Sequence, residues 1–272
     1  MRMRSEIQQA VKWTAAAVDA VRRPRGLVVL IYHRVGARTR VSVDLPRQLF
    51  ADQLTALTAD WAPVTLDEAV DLLSETAAPP GRPPVCLTFD DGTADFVEEA
   101  LPELVAHAIP ATLFVATDHI ETGQPFPDDG RPVSWAALRD ALSTGLVTIG
   151  SHTHTHRLLD RVDGPEAAAE LDRSIGLVED RLGVPCSHFA YPKALLGSPA
   201  AEQEVRRRFR TAAVAGTRPN PYGRTDLHRL GRSPVQVADG MRWFRRKAAG
   251  GMALEDDLRR LRNRRRYAGM VT

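Results

Sequence analysis

The sequence has 272 residues, of which 43% are hydrophobic and 26% are charged, and its formal net charge is +2. A chain of this composition can bury a core, and an α/β barrel spends this length on a single domain. No apolar run approaches the ~20 residues of a membrane-spanning helix. Aromatic residues are not placed among the basic residues densely enough to stack on nucleic-acid bases. No nucleic-acid partner is therefore expected.

Residues 1–25 are predicted to form an N-terminal helical extension. Ile7, Val11, Val18 and Val21 repeat there at helical spacing. Such a stripe usually packs against its own domain, and contact with a membrane surface is the alternative. The segment lacks the uninterrupted apolar stretch and the small-residue cleavage site of a secretory signal. A cytoplasmic protein is therefore expected, with association with a membrane as the alternative.

Apolar runs that resemble strands alternate along the chain with longer segments of helical spacing. The predicted strands are Leu27–Tyr32, Val85–Phe89, Ala111–Ala116, Leu146–Ile149, His188–Tyr191 and Thr211–Ala215, with Leu230–Val237 as a further candidate. The predicted helices are Arg47–Ala59, Leu66–Ser74, Asp95–His107, Trp135–Ser143, Pro165–Leu182 and Ala201–Phe209. This alternation predicts parallel β/α units in one α/β domain, residues 26–240.

Residues 241–272 are predicted to be a helical, basic C-terminal segment that packs on the barrel or extends from it. Six of its arginines lie between positions 259 and 266. A solvated tail is favoured, and peripheral contact with an anionic membrane through the basic termini is the alternative. Cys86 and Cys186 lie far apart in or beside apolar stretches, so both are expected to be buried thiols, as in a reducing compartment.

Two adjacent carboxylates, Asp90 and Asp91, follow a predicted strand, and Gly92 comes next. Neighbouring carboxylates at a strand end suit a site where one binds a cation while the other accepts a proton. A simple Asp-Gly turn is the alternative interpretation.

Three of the eight histidines, His152, His154 and His156, fall within five residues after another predicted strand. In irregular backbone, His152 and His156 can turn to one point, whereas His154 is expected to have a structural role. Two imidazoles and one carboxylate leave coordination positions open for water and substrate, as hydrolysis at a metal requires.

The polar motifs share one position in the predicted fold, because each follows the carboxyl end of a strand. His33 follows the first strand, Asp90 and Asp91 the second, and Tyr191 ends the fifth. In barrels and open α/β sheets, functional sites assemble at this edge.

Together, these motifs resemble the polysaccharide deacetylase family, also called NodB homology or carbohydrate esterase family four. The resemblance rests on TFDDG (88–92) followed by SHTHTH (151–156), with YHRVG (32–36) upstream and FAYP (189–192) downstream. FAYP and YHRVG are closest in style to exopolysaccharide N-deacetylases. The resemblance implies a distorted (β/α) barrel, often of seven parallel strands.

The resemblance also implies a set of roles. A divalent metal ion, zinc by expectation, would be held by Asp91, His152 and His156, and Asp90 would be the general base. The Lys193 amide would donate to the oxyanion, with Tyr191 and His33 as further substrate or oxyanion contacts, and His228 would be the general acid. The third motif of the family usually begins with an arginine that orients the base, whereas FAYPKA stands here.

The expected function is removal of an acetyl group from an N-acetylated or O-acetylated sugar in a glycan or glycoconjugate. One alternative keeps the fold and metal but hydrolyses a cyclic amide or ureide. Another is an inactive glycan-binding relative, against which the intact pair Asp90 and Asp91 argues.

Overall fold

The computed structural model of the protein describes residues 26–253. The predicted helical extension, residues 1–25, and the segment from residue 254 onwards lie outside the described residues. None of the helices in the described part is long and apolar enough to span a bilayer.

Seven parallel strands close into a barrel, which confirms the predicted fold. Residues 26–253 contain ten strands in all, three of which lie outside the barrel. In chain order they are β1 (Val28–Tyr32), β2 (Arg34–Val35), β3 (Asp44–Leu45), β4 (Ala62–Val64), β5 (Pro84–Phe89), β6 (Ala111–Val115), β7 (Val147–Ser151), β8 (His188–Ala190), β9 (Thr211–Ala215) and β10 (Leu230–Pro234). The barrel runs in the order β1, β5, β6, β7, β8, β9, β10, and β10 pairs again with β1. Strand β4 extends one edge beside the start of β5, while β2 and β3 pair separately.

The helices of residues 26–253 follow the strands as crossover connections. They are α1 (Arg47–Asp60), α2 (Leu66–Ser74), α3 (Leu101–Ala106), α4 (Thr117–Thr122), α5 (Trp135–Ser143), α6 (Gly164–Leu182), α7 (Pro199–Arg208) and α8 (Gly240–Ala248). The predicted helix Asp95–His107 is divided, because a π-helical turn (Phe96–Ala100) precedes α3. Sequence periodicity missed α4, since six residues are too few to show a helical repeat.

Local sequence signals account for the ends of α6. The Asp163 side chain accepts from the Glu166 backbone N–H, and the Glu166 side chain accepts from the Asp163 N–H, which forms a capping box. Pro165 lies in the first turn, and Gly183 ends the helix in the left-handed conformation. This helix later supplies a carboxylate to the loop that carries the histidines.

Two apolar layers surround the strands, and alternating residues of each strand face one layer or the other. The larger layer lies between barrel and helices, where it includes Leu30, Phe89 and Phe189. The smaller contains Val29, Cys86, Phe114, Ala190, Ala213 and Leu230, together with three residues of α2. Helix α2 thus packs on this inner cluster.

Both cysteines are buried free thiols, as predicted. Burial raises the pKa of each thiol to about 12, so neither is a ready nucleophile.

Candidate metal centre and active site

The three predicted ligand side chains converge at the carboxyl end of the barrel. Nε2 of His156 lies 3.3 Å from Oδ1 of Asp91, and Nε2 of His152 lies 3.6 Å from the same oxygen. One ligand atom from each residue falls within 4.8 Å of the others, so the group could hold a metal ion. No fourth His, Cys, Asp or Glu joins the group within residues 26–253. An ion held here would keep open positions for water and substrate.

Hydrogen bonding sets the tautomer of His152. Its Nδ1 lies 2.7 Å from the carbonyl oxygen of Ala190, which can only accept, so Nδ1 carries the proton. The Nε2 lone pair therefore faces Asp91. Burial lowers the pKa of His152 to about 4, which keeps the ring neutral at neutral pH. A neutral imidazole with its second nitrogen fixed by a carbonyl is a metal-ligand arrangement.

The loop after β7 has a strained backbone that a helix carboxylate supports. Thr153 and His156 have positive φ values of 65° and 59°. Glu170, on α6, accepts hydrogen bonds from the backbone N–H groups of His154 and Thr155 at 3.1 and 2.8 Å. It also accepts one from the Thr155 hydroxyl at 2.9 Å. The turn that brings His156 back towards His152 is thereby fixed.

His154 faces away from the ligand group. Its Nδ1 lies 2.9 Å from the Thr117 hydroxyl, and its Nε2 lies 3.7 Å from Asp118. This placement agrees with the structural role that was favoured for it.

Asp90 lies beside the ligand group but faces an arginine from across the barrel. Nη1 and Nη2 of Arg232, on β10, donate to the two Asp90 oxygens at 2.6 and 2.8 Å, and both side chains are buried. Arg232 also donates to the Thr88 hydroxyl and lies over the Phe114 ring. Burial by itself raises the pKa of Asp90, but Arg232 and the nearby histidines outweigh it and the pKa is lowered. Asp90 is therefore ionised, as a general base must be.

Arg232 supplies the guanidinium beside Asp90, a role to which the sequence motifs assign no residue, although the sequence leaves Arg229 and Arg232 as arginines that could stand near the site in place of His228. FAYPKA offers no arginine to orient Asp90, and here the guanidinium comes from the strand that pairs with β1 on its other side. The available signal was an arginine inside the apolar strand Leu230–Pro234, because a buried arginine needs a buried partner.

His33 lies beside both carboxylates. It stands between β1 and β2, and its electrostatic interaction with Asp90 and Asp91 contributes to lowering the pKa of each. Its Nδ1 is buried and has no hydrogen-bond partner in the described part of the chain. For Asp91, burial raises the pKa, but the interactions with His156, His33 and His152 outweigh burial and lower the pKa overall. This carboxylate is therefore also ionised.

The third motif contributes backbone rather than its tyrosine. Tyr191 is fully buried in the layer outside the barrel, with its ring 4.9 Å from that of Phe189, so the structure does not bring this predicted substrate contact to the site. The reason is strand alternation, which turns Ala190 inward and Tyr191 outward. Lys193 has a positive φ of 53°, and its N–H donates to no acceptor within residues 26–253. That N–H is available to an oxyanion.

His228 lies outside the site, contrary to the prediction that it is the general acid. It precedes β10, whereas the ligand group follows the strand ends, so it belongs to the opposite end of the barrel. Its Nε2 lies 2.8 Å from the carbonyl oxygen of Phe209, which precedes β9.

Comparison with known proteins agrees with the site geometry. The family model described as polysaccharide deacetylase matches residues 77–208, a range that includes Asp90, Asp91, the histidine loop and Lys193. This match confirms the resemblance to the polysaccharide deacetylase family. No curated protein matches the sequence.

Solved structures of deacetylases share the barrel. IcaB from Ammonifex degensii is 28% identical over 82% of this chain and 97% of its own, with a TM-score of 0.71. PplD, a deacetylase from Streptococcus pyogenes in complex with acetate, is 20% identical over 79% and 94% of the two chains, with a TM-score of 0.70. The BpsB deacetylase domain from Bordetella bronchiseptica is 21% identical over 77% and 95%, with a TM-score of 0.62. The last two comparisons show the polysaccharide deacetylase fold. The family match and the similarity to IcaB support a carbohydrate deacetylase.

Proposed function

We propose that this protein is a metal-dependent hydrolase that removes an acetyl group from an amino-sugar glycan or glycoconjugate. The observation that carries the proposal is the juxtaposition of two unlike carboxylates. Asp91 faces two imidazoles, while the adjacent Asp90 is kept ionised by Arg232 and stays outside the ligand group. One site thus holds both a ligand set for a cation and a separate base.

Asp91, His152 and His156 would hold the ion, and their two nitrogens and one carboxylate oxygen fit zinc. When bound, such an ion polarises a carbonyl and lowers the pKa of water. Two features of this chain suit a bound zinc ion: His152 keeps its proton on Nδ1, which leaves Nε2 free to coordinate, and Asp91 is ionised.

The remaining steps belong to side chains and backbone. Asp90 takes the proton of the attacking water, and the two hydrogen bonds from Arg232 fix the orientation of its carboxylate. The Lys193 N–H donates to the negative oxygen of the tetrahedral intermediate. His33, beside both carboxylates and with an unpartnered Nδ1, replaces His228 as the group that protonates the departing amine.

We also propose that the protein works where thiols stay reduced, because Cys86 and Cys186 are unpaired. An intracellular precursor or a lipid-linked sugar then becomes the expected substrate. Fractionation of cells that express the full chain, with detection in the soluble and membrane fractions, tests this location and the contact proposed for the basic termini.

The direct test is release of acetate and free amine from acetylated glucosamine oligomers by zinc-loaded protein. Asp90→Asn should abolish turnover, a loss of at least about 100-fold, and retain zinc. Asp91→Ala should lose zinc, because a ligand is removed. Unchanged zinc content in Asp91→Ala would show that the ligand assignment is wrong.

A further inference from the structure

A tight hairpin turn, residues 126–130, borders the ligand group. Phe126 and Gly130 exchange backbone hydrogen bonds of 2.8 and 3.3 Å, and Asp128 and Asp129 between them have positive φ values of 56° and 55°. The chain that follows pairs with the segment after Asp91: Val133 N donates to Gly92 O at 3.0 Å, and Ala94 N donates to Arg131 O at 2.8 Å. The turn is thus attached to the loop that carries the predicted carboxylate ligand.

Phe126 lies between two histidines and is almost completely buried. Its ring stacks on that of His119, with centroids 3.9 Å apart, and meets the His156 ring edge to face, with centroids 6.4 Å apart. His156 has the other imidazole, His152, on a second side at 5.0 Å. Because aromatic pairs within this range attract each other, Phe126 restricts the orientation of the His156 ring.

Arg34 binds two backbone carbonyl groups of this turn. Its Nη1 donates to Asp128 O at 2.7 Å and its Nη2 to Pro127 O at 2.6 Å, and the side chain is only 7% exposed. A Cβ at position 130 would overlap the guanidinium, so Gly130 is needed for this close approach. The arginine lies on β2, next to His33, and is therefore tied to the barrel rather than to the loop.

We propose that Arg34 is a positioning residue for His156. By holding the carbonyl groups of Pro127 and Asp128, it keeps the turn in place, and Phe126 on that turn sets the imidazole that completes the ligand group. The inference rests on the proposed function, since it assumes that Asp91, His152 and His156 bind an ion. It adds that Arg34, which contacts none of the three proposed metal-binding residues, controls the orientation of His156 through the turn and Phe126.

The test measures zinc affinity by competition with a chelator, independently of turnover. Residues that orient ligands from outside typically change metal affinity 10–100-fold, so Arg34→Ala and Phe126→Ala should each weaken zinc binding by about 10-fold. Arg34→Lys should lie between, because one ammonium cannot replace the two-pronged contact. Arg38→Ala, which removes an exposed arginine paired with Glu98 and Glu99, is the matched control and should bind zinc as tightly as the unmodified protein.

A double-mutant cycle tests the route. Arg34→Ala combined with Phe126→Ala should weaken binding no more than the larger single effect, because both act through one ring. The absorption spectrum of the cobalt-substituted protein should shift in both single variants and not in Arg38→Ala. Phe126→Leu, which preserves apolar volume, gives the same comparison if Arg34→Ala fails to fold.

The outcomes separate this inference from the proposed function. If Asp91→Ala loses zinc while Arg34→Ala and Phe126→Ala stay within twofold of the unmodified protein, the inference is overturned and the ligand group stands. Additive effects in the double variant would also overturn the shared route. Unmodified protein that binds no zinc would overturn both.

Discussion

Asp90 and Asp91 show how two identical neighbours acquire different chemistry. Asp91 has a positive φ of 76°, which turns the chain so that its carboxylate meets the two imidazoles. Asp90, which directly follows β5, meets the Arg232 guanidinium instead. The difference lies in the partners that the fold supplies, because the residue type is the same.

Replacing Arg232 with methionine should destabilise the protein and abolish deacetylation. The substitution leaves the Asp90 carboxylate buried without its partner, which costs about 3–5 kcal/mol of unfolding free energy. Chemical denaturation measures the stability, and acetate release measures the activity.

The double variant Asp90→Asn with Arg232→Met provides the control. Without the buried charge it should be more stable than Arg232→Met alone, although it should remain inactive. Equal stability of the single and double variants would contradict a buried ion pair as the source of the loss.

At the scale of elements, each functional loop is supported by a neighbouring element. The loop that carries His152 and His156 depends on Glu170 of α6, which accepts three hydrogen bonds from residues 154 and 155. The capping box and the left-handed Gly183 fix both ends of that helix, so the carboxylate is presented from a rigid element.

Glu170→Ala should weaken zinc binding by about 10-fold while the barrel stays folded. The reason is that the backbone N–H groups of His154 and Thr155 lose their acceptor and the turn at His156 loosens. Chelator competition and circular dichroism measure the two properties. Glu179→Gln, at an exposed position of the same helix, should leave zinc affinity unchanged, and an equal loss there would contradict the local explanation.

At the scale of the whole molecule, the proposed site lies at one end of the barrel, whereas a buried histidine packs at the other end. The carboxyl end gathers the ligand group and Asp90. At the other end, His188 at the start of β8 is buried, with Nδ1 2.9 Å from the Thr211 hydroxyl and Nε2 3.3 Å from Asp67 of α2. Burial lowers the pKa of His188, and the nearby Asp67 only partly opposes this.

This lowered pKa predicts acid sensitivity of the fold. The unfolded state binds a proton at about pH 6.5, whereas the folded state keeps His188 neutral to lower pH. Stability is therefore complete above the unfolded pKa and is lost as the pH falls below it towards the folded pKa. Urea unfolding at pH 7.5 and 5.5 should show a smaller fall for His188→Gln than for the unmodified protein, and an equal fall would contradict this explanation.

Much of the fold was predictable because its signals are local. Apolar runs and helical spacing gave the barrel strands within a few residues, since burial on both faces leaves a pattern in the sequence. The hairpin turn of residues 126–130 and helix α4 left no such pattern. The segment Asp95–His107 contains a π-helical turn that periodicity does not reveal. The division at residue 240 stays a prediction.

The sequence by itself determined which residues are proposed to carry the chemistry: adjacent aspartates after β5 and spaced histidines after β7, each identified by its position directly after a strand. Only the tertiary structure decided their partners. Arg232 lies 142 residues from Asp90 and reaches it because closure of the barrel pairs β10 with β1, next to β5. His228 precedes β10 and therefore lies at the end of the barrel opposite the ligand group, whereas His33 follows β1 and lies at the same end as that group, because the barrel strands run parallel.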